Sequence, residues 1–202
     1  VCPHTEVMGF DQSKGQINGI HTTRGYFKAK EIVLSAGAWS PILSQMLSIN
    51  LPIQPAKGYS ITIKRPHDWP ELPMVLSEAK VGVTPMGETL RFGGTLELAG
   101  FDLSINQRRV DAILNAISQY FPGLRIKEDD ILEIWRGLRP CSPDGLPFLG
   151  RSSKYKNLIV AAGHAMIGVS LGPITGKLVT DLICNHPIDI DISPLATDRF
   201  ST

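Results

Sequence analysis

Residues 161–176 read Ala-Ala-Gly-His-Ala-Met-Ile-Gly-Val-Ser-Leu-Gly-Pro-Ile-Thr-Gly. They continue the apolar run Leu158-Ile159-Val160, so a buried strand turns through glycines straight into a helix. The backbone N–H groups at such a helix start have no partner within the helix, and the dipole is positive there, which makes an anion site. Earlier in the chain, residues 135–149 read Trp-Arg-Gly-Leu-Arg-Pro-Cys-Ser-Pro-Asp-Gly-Leu-Pro-Phe-Leu. A strand-like run here ends in Arg136 and Arg139 and passes into a loop dense in proline and glycine, and such loops usually carry function rather than packing. Earlier still, Ile32-Val33-Leu34-Ser35-Ala36-Gly37-Ala38-Trp39-Ser40 is a second apolar run that stops at residues small enough for something to approach the backbone.

With 202 residues, 43% of them hydrophobic, the chain is long enough for a sizeable core, as one large domain or parts of two. Twenty basic and 19 acidic side chains nearly balance, which argues against nucleic acid or an anionic membrane as partner and favours small-molecule chemistry. Cys2, Cys141 and Cys184 are odd in number and widely spaced, so neither a disulfide framework nor a metal site is expected, and a reducing compartment fits. The longest apolar stretch, residues 157–174, is interrupted by His164 and by glycines and is too short to cross a bilayer. No signal peptide is visible. The chain opens on Val1 in a strand-like pattern, which leads us to expect a C-terminal fragment.

Short strands are expected at residues 6–10, 16–22 and 25–29, with tight turns at Gly15 and Gly25. Residues 31–35 form a continuous apolar run, as expected of a strand covered on both faces. A short helix is predicted over 39–47, and a domain crossing near Leu51, where Pro52 and Pro55 break the chain. Strands at 58–64, 74–78, 81–86 and 90–98, with turns at Gly87-Glu88 and between Lys64 and Trp69, suggest an antiparallel sheet. Val110, Ile113, Leu114 and Ile117 recur at helical spacing over 106–120, predicting a helix across that sheet. Residues 131–138 carry the chain back, 158–162 form a buried strand, and a last helix spans 169–185.

Arg139 is the first candidate for function, because a guanidinium presents two parallel donors that match a carboxylate; Arg136 is the second. The plainer alternative is that either arginine pairs with a core carboxylate or caps a turn. Asp144-Gly145 is most simply a turn. His164 alone reads as a hydrogen-bonded structural histidine, and Trp39 alone as a buried aromatic at a helix start. Gly93-Gly94 permits close approach of a ligand or marks a bulge.

Taken in order, the three quoted segments resemble the FAD-dependent D-amino-acid oxidase superfamily, most closely its D-amino-acid dehydrogenase and glycine oxidase branch, over nearly the whole chain. Residues 57–60 and 91–97, with Gly100-Phe101-Asp102-Leu103, resemble the substrate-domain strands of the dehydrogenases, where Tyr59 would face the pocket. The resemblance implies a mixed α/β and α+β fold: part of an FAD-binding domain with an inserted antiparallel-sheet substrate domain. Residues 1–50 and 138–202 would belong to the FAD domain and 51–137 to the substrate domain. It further implies that Arg139 binds a substrate carboxylate. Gly163, His164, Ile167, Gly168 and Val169 would meet the flavin, and Ala36, Gly37 and Trp39 would lie on its nucleotide side.

The implied reaction is oxidation of a D-amino acid or related amine to an imine, with FAD accepting a hydride and no general base required. The implied electron acceptor is oxygen or a quinone, and the dehydrogenase likeness favours the quinone. The protein would then be cytoplasmic or peripheral at the inner membrane. The glycine oxidase branch carries a second arginine where Met166 stands here, which argues against glycine as substrate. Other members of the superfamily, such as a sarcosine-type or tRNA-modification oxidase, would share these motifs; a non-catalytic assembly subunit is the reading from a different class. A Gly-x-Gly-x-x-Gly dinucleotide cradle occurs nowhere in these residues, so this stretch alone is expected to bind FAD weakly or not at all and to be inactive.

Overall fold

Apolar side chains at every second position make the first strands half-buried ribbons, and left-handed residues between them close the turns. The computed structural model describes residues 1–67, 69 and 71–200, so Asp68, in the turn expected between Lys64 and Trp69, lies outside the described residues. Strands β1 (Val7–Ser13), β2 (Gln16–Thr22) and β3 (Gly25–Phe27) form an antiparallel meander. Lys14 and Gly15, with φ of 49° and 72°, supply its first turn. Strand β4 (Ile32–Leu34) leads through a 3-10 turn at Gly37–Trp39 into helix α1 (Ser40–Met46).

Strand β5 (Gln54–Lys64) opens a five-stranded sheet with β6 (Met74–Leu76), β7 (Val81–Met86), β8 (Thr89–Glu97) and, after helix α2 (Gln107–Tyr120), β9 (Ile131–Cys141). Its order is β6-β7-β8-β5-β9. Helix α2 starts where the Asn106 side chain accepts from the Arg108 N–H at 3.2 Å. Its Val110, Ile113 and Ile117 are buried in one core with Ile61, Val83 and Phe92. A Cβ on Gly94 would lie 3.2 Å from Ile113, so that glycine admits the helix. The β5–β8 register slips between Lys57 and Tyr59, and Thr95 takes φ 59° beside the slip. The glycine pair therefore leads into a bulge.

Strand β10 (Phe148–Arg151), β11 (Leu158–Ala162) and helix α3 (Gly168–Cys184) complete the elements, with sheet order β10-β11-β4. Strand β11 runs antiparallel to β10 and parallel to β4. Asn157 fastens this sheet to the meander: its Oδ1 accepts from the Ile17 N–H at 3.0 Å and its Nδ2 donates to the Ile17 carbonyl at 2.9 Å. Ile17, Leu34, Leu47, Phe148, Leu158 and Val160 share the core beneath.

Two compact units result, Val1–Pro55 with Arg139–Thr202, and Ala56–Leu138. The chain passes between them at Pro55, four residues beyond the crossing expected near Leu51, and at Leu138. Two expectations about strands are corrected. Strand β10 was not foreseen, because Pro147 before it and Gly150 inside it read as breakers. Strand β4 is not covered on both faces: Ile32 and Leu34 are buried, but Val33 between them is 38% exposed. Among the described residues no helix is long and apolar enough to cross a membrane.

Candidate functional site

Parallel pairing brings the ends of β4 and β11 to one edge of their sheet, since Leu34 lies opposite Val160 and both strands run the same way. Ala36 and Gly37 follow the first strand there, and residues 163–165 follow the second. Strand β10 begins at the same edge, with Phe148 opposite Ala162, so the loop of residues 142–147 arrives there too. Open sheets of this kind bind ligands outside the carboxyl ends of their parallel strands. Gly37 has φ +55° with open space where a Cβ would stand. Gly163 has φ +81°, and a Cβ on it would come within 3.2 Å of the Phe148 ring. Ala165 is held at φ 47°, a conformation that costs an L-residue on the order of 1 kcal/mol.

Arg139 stands near the end of β9, and backbone bonds tie that strand end to the turn after β11. The Ala165 N–H donates to the Pro140 carbonyl at 2.9 Å, and Cys141 forms an antiparallel bridge with His164. Burial raises the Cys141 thiol pKa, and the positive charge of Arg139 partly offsets that rise. The guanidinium field therefore reaches the strand end where the turn is attached.

His164 is half-buried, with Nε2 3.0 Å from Thr175 Oγ1 on α3. Burial pushes its pKa down from the ordinary histidine value, and the ring joins turn to helix. The His164 carbonyl accepts from the Ile167 N–H at 3.1 Å, and a Cβ on Gly168 would meet the His164 Cβ at 3.2 Å. No side chain caps α3 and its first turn carries no acid. The N–H groups of Gly168, Val169 and Ser170, which an α-helix cannot satisfy internally, therefore lie at a positive helix end. Val169 beside them is 95% exposed, Met166 and Ile167 are also exposed, and Trp39 at the other turn is 49% exposed rather than buried.

Arg136 and Tyr59 belong to the other unit and are engaged within it. Arg136 Nε donates to the Leu103 carbonyl at 2.8 Å. Tyr59, expected to face a pocket, is placed in the core: its hydroxyl donates to Glu97 Oε2 at 2.6 Å and accepts from the Asn106 N–H at 3.2 Å. Beside it Lys57, whose charge the sequence reading passed over, is fully buried, with Nζ 3.0 Å from Asp102, 3.4 Å from Glu97 and 2.9 Å from the Ser104 carbonyl. Its place two residues before Tyr59, on the side of the strand that continues through Ile61 and Ile63, was the available sign. Burial lowers the Lys57 pKa, but the bonds to Asp102, Tyr59 and Glu97 outweigh it and leave the pKa raised.

The chain is 36% identical over 200 residues to a D-amino acid dehydrogenase of Xanthobacter autotrophicus, covering 96% of this chain and 46% of that protein. It is 34% identical over 196 residues to a glycine oxidase of Pseudomonas putida, covering 96% and 53%. The crystal structure of glycine oxidase from Geobacillus kaustophilus superposes with a TM-score of 0.87 at 28% identity, over 96% of this chain and 52% of that one. The chain thus spans about half the length of the relatives it matches. Residues 1–182 match the DAO family, described as FAD dependent oxidoreductase, and the chain belongs to that family.

Proposed function

We propose that this chain is the C-terminal part of an FAD-dependent oxidoreductase that converts a D-amino acid or related amine to the imine. Residues 1–50 and 138–202 would contribute to the flavin-binding domain and residues 51–137 to the substrate domain. One observation carries the reading: the Pro140–Ala165 hydrogen bond and the Cys141–His164 bridge fasten the strand end that holds Arg139 to the turn that opens α3. A carboxylate-binding cation and an anion-binding helix end are thereby built into one piece of backbone.

The residues present fit one edge of a flavin. Glycine at 37 leaves open space at the sheet edge, Trp39, Ile167 and Val169 offer apolar surface, and the uncapped start of α3 offers N–H donors. FAD, when bound, supplies the hydride acceptor, whose pyrimidine edge gains negative charge on reduction. The N–H groups at Gly168 and Val169 and the dipole of α3 would offset that charge. Arg139 orients the substrate carboxylate through paired donors. His164, bound to Thr175, serves the turn and moves no proton. Met166, where a second arginine would favour glycine, leaves apolar room for a larger substrate side chain. Arg136 and Tyr59, engaged within their own unit, take no part. We place the protein in the cytoplasm, at the membrane surface, with a quinone as acceptor, on the likeness to dehydrogenases.

The test uses the protein with its natural upstream sequence, mixed anaerobically with D-amino acids, glycine, sarcosine and D-proline while the flavin absorbance is followed. Bleaching by D-amino acids that is lost in Arg139→Ala supports the reading. Bound flavin that no amine bleaches refutes it.

A further inference from the structure

Arg199 uses every N–H that an arginine has. Its Nε donates to Asp144 Oδ2 at 2.8 Å, and its Nη2 donates to Asp144 Oδ1 at 3.0 Å and to the Leu146 carbonyl at 2.7 Å. Its Nη1 donates to the carbonyls of Pro147 at 3.3 Å and Ala196 at 3.1 Å. Four of these five bonds end on the loop of residues 142–147, which begins three residues after Arg139. The loop adds two of its own: Ser142 Oγ donates to the Leu146 carbonyl at 2.7 Å, and the Leu146 N–H to Asp144 Oδ1 at 3.1 Å.

The flat faces of the same guanidinium are also engaged. Its central carbon stands 3.8 Å from the centroid of the Phe148 ring and 5.1 Å from that of Phe200. Phe148 is the ring against which Gly163 packs, at a distance that would bring a Cβ to 3.2 Å. Arg199 therefore reaches the turn after β11 through a single aromatic side chain, and reaches the end of β9 through the loop.

Anchoring of its own segment does not account for this arrangement. Thr197 is buried with its hydroxyl on the Arg151 carbonyl at 3.3 Å, and Leu195 packs against a core of Leu149, Ala161 and Leu178. That segment has anchors besides the arginine, four of whose five side-chain bonds go to residues 144–147 instead. Lysine could not stand in, since an ammonium has three donors and no plane to stack.

We propose that Arg199 is a positioning residue of the site, setting the turn of residues 163–165 through Phe148 and the loop of residues 142–147 through Asp144. The inference rests on the proposed function for what the site binds, but not for the geometry it predicts.

The experiment compares the full-length flavin-loaded protein with its Arg199→Gln, Arg199→Lys and Asp144→Asn variants by hydrogen exchange and by flavin reduction potential. We expect Arg199→Gln to speed amide exchange at least tenfold in both 142–147 and 163–168 while leaving 16–22 unchanged. Asp144→Asn should do so in 142–147 alone, because the stack on Phe148 remains. Arg199→Lys should resemble Arg199→Gln at 163–168. Loosening the α3 start should also favour oxidised flavin about tenfold, which for two electrons is a shift of about 30 mV to more negative potential.

Unchanged exchange at 163–168, or an increase spread evenly over Val1–Pro55 and the rest of that unit, would overturn the proposal. If Arg199→Gln does not fold, the contrast between Arg199→Lys and Asp144→Asn decides the matter. Failure of the functional reading appears separately, as wild-type flavin that no amine bleaches, and leaves the exchange pattern to judge Arg199.

Discussion

The end of the Trp135 indole occupies the space beside Gly137 that any side chain there would need: a Cβ on that glycine would lie 2.1 Å from the ring. The two residues are neighbours on one face of β9. Because Trp135 is half-exposed, its ring can swing away into solvent. Gly137→Ala should therefore alter the near-UV circular dichroism while changing stability by no more than about 1 kcal/mol. An unchanged aromatic spectrum would refute this account of the glycine.

Asn157 satisfies both backbone groups of buried Ile17, and alanine would leave an N–H and a carbonyl without partners. Each buried orphan costs about 1–3 kcal/mol, so Asn157→Ala should lose about 2–6 kcal/mol. Urea unfolding should show a lower midpoint with an unchanged slope.

Lys57 neutralises Asp102 and Glu97 inside the second unit. Lys57→Met should lower the unfolding midpoint, because it removes one partner from a buried ion cluster. The same substitution made on top of Glu97→Gln and Asp102→Asn should cost distinctly less, and a double-mutant cycle reads the difference. Additive effects would mean that the cluster is not coupled.

The hydrogen bonds from Arg199 hold the Asp144 carboxyl down to about 2, from an ordinary value of 3.8. A carboxylate with a depressed folded pKa binds protons more readily in the unfolded chain, so its stabilisation is complete above the ordinary value and fades as pH falls toward 2. Stability measured between pH 5 and pH 2 should therefore fall less steeply in Asp144→Asn than in wild type. Parallel curves would place the pKa shift elsewhere.

Patterns confined to neighbouring residues were legible in the sequence, and relations across the chain were not. The spacing of Val110, Ile113 and Ile117 gave α2, the run from Leu158 gave β11, and Gly15 and Gly25 marked turns whose backbone is left-handed. Strand β10 escaped notice because its four residues fall between breakers. Val33 looked buried because an apolar run does not say which of its faces is covered. At the site, Arg139 and the turn at Gly163 stood out through their motifs. Their attachment through Pro140 and Ala165 did not, since a backbone hydrogen bond leaves no trace in residue type. Arg199 carried no motif at all; its importance comes from Asp144, 55 residues earlier. Tyr59 stood out through its neighbours in sequence, while its bond to Glu97 left no sign there.

The bond between Ile17 and Asn157 joins residues 140 positions apart, and paired residues of β4 and β11 lie 126 apart. During synthesis β4 therefore leaves the ribosome before the β11 strand it pairs with, and the meander before the Asn157 that fastens it. Residues 56–138 close their own core first, since every member of that core comes from a single continuous stretch. Within residues 1–202 the unit Ala56–Leu138 is thus able to fold before the other, and the residues proposed to bind flavin gather only when the last third of these residues has emerged. Loop-closure entropy falls on that late step, which makes it the slow phase to look for in refolding and the point at which a folding helper would act.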